Sequence, residues 1–180
     1  MKESKYHIEQ QDVIFYDNFL DEQTVRKANE ITISSGLSFV NGYLDFGGIT
    51  AYKLTYPNLK EITITSKVNL KVYFYSTTGT KYILDYGSGG SGYIGYTGGN
   101  LVISAGVLYV DGEVKASGSF APAIDTWYDI AVTGITILSP LYGIAVGAYG
   151  DTESMAGRVD LFEVYNRMLS LEEIQNLSSV

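Results

Sequence analysis

G-R-V-D-L-F-E-V-Y-N-R-M-L-S-L-E-E-I-Q-N-L, from Gly157 to Leu177, packs a strand, a turn and a capped helix into one short run. Val159, Leu161, Phe162 and Val164 are apolar, with Arg158, Asp160 and Glu163 between them. That near-alternation is the pattern of a strand with one buried face. Asn166 and Arg167 turn the chain. Ser170 and Glu173 have the spacing of a capping box, in which each side chain satisfies a backbone N–H of the other residue. Leu171, Ile174 and Leu177 then form one stripe of a short helix, read as a structural seal on a core.

Working outward, the rest of the chain is a series of short apolar runs separated by glycine-containing turns. Ile31 to Ser34, Leu37 to Val40, Tyr43 to Phe46, Tyr52 to Tyr56 and Glu61 to Ser66 read as strands. Asn41-Gly42 between two of them is a strong hairpin signal. Lys71 to Tyr75 alternates, with Val72 and Phe74 facing in and Lys71, Tyr73 and Tyr75 facing out. Asp111-Gly112 predicts a second tight hairpin between Val107–Val110 and Glu113–Ala116. In Trp127 to Val132, Trp127, Asp129 and Ala131 share one face while Tyr128, Ile130 and Val132 share the other. Tyr86 to Gly99 is half glycine. It holds no lysine and no helical pattern comes after it, so a phosphate-binding loop is not expected; a hairpin with flexible tips around Tyr93 to Tyr96 is. About a dozen short strands with such turns argue a two-sheet sandwich.

The bulk numbers agree. A length of 180 residues suits one domain, expected over residues 13–180 behind an arm or edge segment at 1–12. No cysteine is present, so disulfides, thiolate metal sites and cysteine nucleophiles are excluded. A formal charge of −8 makes a phosphate backbone a poor partner. Sixteen tyrosines against seven phenylalanines and one tryptophan favour half-wet sheet faces, which serve cross-strand packing or binding equally. The opening residues, M-K-E-S-K-Y-H-I-E-Q-Q-D, are charged and lack the apolar core of a secretory signal. No run reaches the roughly 20 apolar residues of a membrane span.

Four segments together resemble laminin-G-like, concanavalin A-type jelly rolls. They are E-I-T-I-T-S-K-V (Glu61 to Val68), L-Y-V-D-G-E-V (Leu108 to Val114), D-T-W-Y-D-I-A-V-T (Asp125 to Thr133) and the C-terminal run. The order departs from the family, whose tryptophan strand usually precedes the Val-Asp-Gly hairpin. The resemblance implies an all-β, antiparallel two-sheet jelly-roll sandwich with a short C-terminal helix. It also implies a structural Ca²⁺ held by Asp160 with Asn18 and a carbonyl of Gly47 or Gly48; the alternative for Asp160 is bonding to backbone N–H groups in a turn.

The same fold carries laminarinase-type glycosidases, which need paired carboxylates. Their Glu-x-Asp-x-x-Glu strand is absent, and the single histidine, His7, sits in a polar arm. The chain is therefore expected to be non-catalytic. The expected function is a binding module that contacts carbohydrate or a host surface, extracellular or on a phage virion. The alternatives are a structural virion protein facing other proteins and a secreted bacterial carbohydrate-binding domain. Tyr73, Tyr75, Tyr93, Tyr96 and Tyr149 are the candidate stacking residues, and Asp151 a candidate partner for hydroxyl groups. Expected partners are a glycan or protein surface, identical copies or a virion shell, without membrane insertion.

Overall fold

The computed structural model describes residues 13–17, 32–33, 37–40, 43–47, 54–56, 65–86, 92–136, 144–147, 154–165 and 167–177. The expected arm at 1–12 lies outside them. The described residues form two antiparallel sheets and one short helix. The strands are β1 (Val13–Asp17), β2 (Thr32–Ile33), β3 (Ser38–Val40), β4 (Tyr43–Asp45), β5 (Leu54–Tyr56), β6 (Thr65–Ser76) and β7 (Thr80–Asp85). They continue as β8 (Tyr93–Thr97), β9 (Asn100–Ile103), β10 (Val107–Val110), β11 (Glu113–Lys115), β12 (Trp127–Thr136), β13 (Ile144–Val146) and β14 (Ala156–Tyr165), with helix α1 (Leu171–Leu177) last.

One sheet has eight strands in the order β11-β10-β12-β6-β14-β4-β3, with β1 also paired to β14. The other has six, ordered β2-β5-β13-β7-β8-β9. Between them lies the core. Leu70, Val72 and Phe74 of β6, Ile130 and Val132 of β12, and Val159, Phe162 and Val164 of β14 meet Ile83, Leu84, Ile94 and Tyr96 of the smaller sheet. The Phe74 and Tyr96 rings touch edge to face across the two layers, 5.8 Å between centres. The protein is a β-sandwich, and the alternation read in β6 and β12 is the one that packs it.

Two strands are longer than their sequence patterns predict. β6 runs without a break from Thr65 to Ser76, and β12 continues to Thr136 across a bulge after Val132. The hairpin at Asp111-Gly112 is present, with Asp111 at φ +50° and Gly112 at φ +77°. The capping box is also present. Ser170 N–H donates to Glu173 Oε2 (2.7 Å) and Glu173 N–H to Ser170 Oγ (3.3 Å). Arg167 grips the same carboxylate through both terminal nitrogens, at 2.7 and 3.2 Å.

This helix lies on the outer face of the eight-stranded sheet. Ile174 and Leu169 bury against Ala131 and Tyr165, which alternate with core-facing neighbours, and Tyr109 packs alongside. Leu171 departs from the expected stripe. It is 50% exposed, because the contact is carried by Leu169 and Ile174. Tyr165 pairs with Lys67 in the ladder, whereas Arg158 pairs with Tyr73. Six residues of β6, roughly 20 Å, therefore separate the helix-covered end from the far end of the same face.

Candidate functional site

At that far end, one line of side chains crosses four adjacent strands. Trp127 on β12 pairs with Tyr73 on β6, Tyr73 with Arg158 on β14, and Arg158 with Asp45 on β4. Strand spacing makes this row roughly 14 Å long. Tyr43 and Tyr75, two residues from Asp45 and Tyr73, share the outward phase and flank the row. Trp127, Tyr73, Tyr75, Tyr43, Arg158 and Asp45 are all partly exposed.

The row needs a close approach of backbones. Gly157 lies where a Cβ would overlap the Tyr73 carbonyl oxygen. Only glycine lets β14 draw this near to β6 and set Arg158 beside the Tyr73 ring.

Asp45 is the organising group. Its Oδ2 accepts from the Tyr75 hydroxyl (2.5 Å) and from Arg158 Nε (3.0 Å), and its Oδ1 accepts from Gly47 N–H (2.9 Å). Burial alone would raise the Asp45 pKa. The three donors and the Arg158 charge outweigh it and hold the carboxyl below its ordinary value. Burial, reinforced by the bond to Asp45, pushes the Tyr75 hydroxyl up to about 12, so it remains a neutral donor.

Arg158 sits within an aromatic cage. Its guanidinium carbon lies 4.7, 5.5 and 5.1 Å from the ring centres of Tyr43, Tyr73 and Tyr75, in cation–π range of all three. The rings are also coupled to one another. Tyr73 stands 5.2 Å from Trp127 and 5.6 Å from Tyr75, and Trp127 stands 5.8 Å from Tyr43, all steeply inclined. At the rim, the Tyr73 hydroxyl donates to Asp125 Oδ1 (3.1 Å). Desolvation and then this bond raise the Tyr73 pKa. Asp125 is itself tied back, its N–H on the Phe74 carbonyl (2.8 Å), in a left-handed conformation at φ +57°. Ile124 beside it is 55% exposed.

Such a surface joins fixed, amphipathic rings to a few oriented polar groups. That combination suits a polyol whose C–H faces lie on aromatic rings while its hydroxyls meet Arg and Asp.

The sequence-derived candidates divide. Tyr73 and Tyr75 belong to the cluster. Tyr93 is on the other sheet, half-buried against Tyr82 with ring centres 5.1 Å apart. Tyr96 is not a surface residue. It is fully buried, and its hydroxyl accepts from Ala156 N–H (3.2 Å). Residues three apart on a strand point to opposite faces, so Tyr93 out places Tyr96 in. Tyr149 and Asp151 lie outside the described residues.

Asn18 and Gly48 of the expected Ca²⁺ set also lie outside them. The other two members do not converge. The Phe46 N–H bonds the Gly157 carbonyl, so the ladder places Gly47 level with Ala156, four residues from Asp160. That is roughly 13 Å of strand, against about 5 Å between two oxygens on one calcium. Asp160 is half-buried at a bulge of β14, and desolvation raises its pKa against the pull of Lys71. Among the described residues no group of three or more His, Cys, Asp or Glu converges as a metal would need. No described helix is long and apolar enough to cross a membrane.

No protein-family model matches the chain, and no curated protein matches it. Solved structures do. The binding domain of Paraclostridial Mosquitocidal Protein 1 superposes with a TM-score of 0.62 at 12% identity, over 93% of this chain and 52% of that one. Domain 4 of AbnA, a GH43 extracellular arabinanase from Geobacillus stearothermophilus, seen in complex with arabinotriose, gives 0.58 at 14%, over 83% and 87%. A Trypanosoma rangeli sialidase mutant displaying trans-sialidase activity gives 0.61 at 15%, over 82% of this chain. The chain spans only 29% of that sialidase's length. At these identities the likeness is one of fold.

Proposed function

We propose that this protein is a non-catalytic carbohydrate-binding module and that it binds saccharide on the Trp127–Tyr73–Arg158–Asp45 row. The carrying observation is the convergence of four aromatic rings, an arginine and two carboxylates on the end of one sheet face that the described helix leaves clear. Two features of the neighbours support the reading. A domain of nearly matching extent is known with arabinotriose, and another neighbour is the binding domain of a toxin. In fold terms the module is read as a concanavalin A-like, laminin-G-like jelly roll. Its place of work is read, from the sequence, as an extracellular or virion surface.

The roles that the two carboxylates already fill support a non-catalytic reading. Asp45 is bonded to three donors and Asp125 to Tyr73, so both act as fixed acceptors. The lowered pKa of Asp45 is the reverse of what a general acid needs.

A saccharide array tests this. Wild type is expected to bind at least one glycan class, and Tyr73→Ala and Trp127→Ala are expected to lose that binding while keeping the wild-type circular dichroism. Equal binding by both folded variants would sink the proposal.

A further inference from the structure

The charges and unspent hydrogen-bonding groups of the row select among saccharides, a selection that rests on the saccharide-binding reading and narrows it. A guanidinium has five N–H donors. One, on Nε, goes to Asp45, and one on Nη1 reaches the Tyr43 hydroxyl at 3.5 Å. Five less two leaves three N–H groups; a hydrogen bond with the Tyr75 hydroxyl engages Arg158 as well, and the remaining two have no partner among the described residues. The Tyr43 hydroxyl accepts from Arg158, and its own proton has no acceptor among the described residues. At the hydroxyl end of the Tyr73 ring, Asp125 uses only Oδ1, and its Oδ2 has no partner among the described residues. Asp125 is exposed and held in place by its N–H bond to Phe74.

Donors thus stand over the ring and an acceptor at its hydroxyl end. Hydroxyl groups, which both donate and accept, satisfy both. A carboxylate satisfies only the donors and leaves Asp125 unmatched. It would also meet a local charge of the wrong sign, since Arg158 is already cancelled by Asp45 and Asp125 adds a further negative charge. The whole chain, at −8, adds to the repulsion.

We propose that the row takes neutral saccharides, straddling Tyr73 between the Arg158 and Tyr43 donors and the Asp125 acceptor, and that Asp125 discriminates against uronic and sialic acid units. Asparagine tolerates the left-handed conformation of Asp125, so Asp125→Asn removes the charge and leaves the shape.

The test is isothermal titration calorimetry against two matched sets of trisaccharides, at low and high salt. The neutral set includes arabinotriose, xylotriose and cellotriose; the acidic set includes trigalacturonate and sialyllactose. The tightest wild-type ligand is expected to be neutral, and acidic members to bind about tenfold or more weakly. Salt is expected to narrow that gap by screening. Asp125→Asn is expected to weaken the best neutral ligand severalfold and to strengthen the acidic ones. If the tightest ligand carries a carboxylate, or if Asp125→Asn changes neither set, this inference falls and the binding module stands. If nothing in either set binds wild type, both fall together.

Discussion

Breaking the Asp45–Arg158 pair is the sharpest probe of how the row is held. The two side chains are 14% and 29% exposed, and Oδ2 to Nε is 3.0 Å. With charge centres about 4 Å apart and an effective dielectric near 20, the gross attraction is about 4 kcal/mol. Desolvation and side-chain ordering remove much of that. Exposed pairs retain at most about 1 kcal/mol, whereas a charge-assisted bond shielded from water retains about 1.5–3 kcal/mol. Three tyrosine rings surround this guanidinium, which shields it on several sides. A coupling of about 1.5 kcal/mol is expected between these limits. Asp45→Asn and Arg158→Gln should each cost about 2 kcal/mol and the double variant about 2.5 kcal/mol, instead of the roughly 4 kcal/mol of independent sites. Urea unfolding of the four proteins, at constant m-value, measures this. A coupling below about 0.5 kcal/mol, the scatter of independent sites, would show that the pair is incidental and the row is not preorganised.

Three further perturbations test the frame around the row. Glycine at 147 has φ +91°, and a Cβ there would overlap the buried Phe46 ring; Gly147→Ala should cost about 3 kcal/mol, read as a melting temperature about 10 °C lower. Tyr96→Phe removes the acceptor for the Ala156 N–H inside the core and should cost about 1–2 kcal/mol in urea unfolding without altering the outer face. Arg167, and then the Ser170 N–H, hold the Glu173 pKa down at about 2, against 4.5. A depressed acid stabilises above its unfolded value and loses that stabilisation as pH falls through the folded one. The wild type should therefore shed on the order of 1 kcal/mol between about pH 5 and 2. Glu173→Gln should lack that part of the acid limb in pH-resolved thermal melts.

Local pattern in the sequence carries the fold but only part of the site. The alternation in Lys71–Tyr75 and Trp127–Val132 identifies core and outer faces without any partner strand, because side-chain direction on a strand is a local property. The Ser170–Glu173 box is legible for the same reason. Tyr96 obeys the same rule against expectation. In Y-I-G-Y, Tyr93 and Tyr96 are an odd number of residues apart and cannot share a face; the surrounding glycines conceal the strand. Trp127, Arg158, Asp45, Tyr43 and Asp125 carry no mark as site residues in the sequence, because their convergence depends on the order β12-β6-β14-β4 and on register. Those are set by long-range packing and leave no spacing signal. One trace exists. Arg158 sits between Gly157 and Val159, both buried, so its outward phase on β14 matches that of the outward Tyr73 on β6.

The protein has a single tryptophan, and it stands in the row. Its fluorescence is therefore a reporter from inside the proposed site. Titration with the tightest saccharide from the array should give a saturable change in Trp127 emission, with the same affinity as calorimetry, and Tyr73→Ala should abolish it. Saturable binding that leaves Trp127 emission unmoved would place the ligand elsewhere and contradict the assignment of this face.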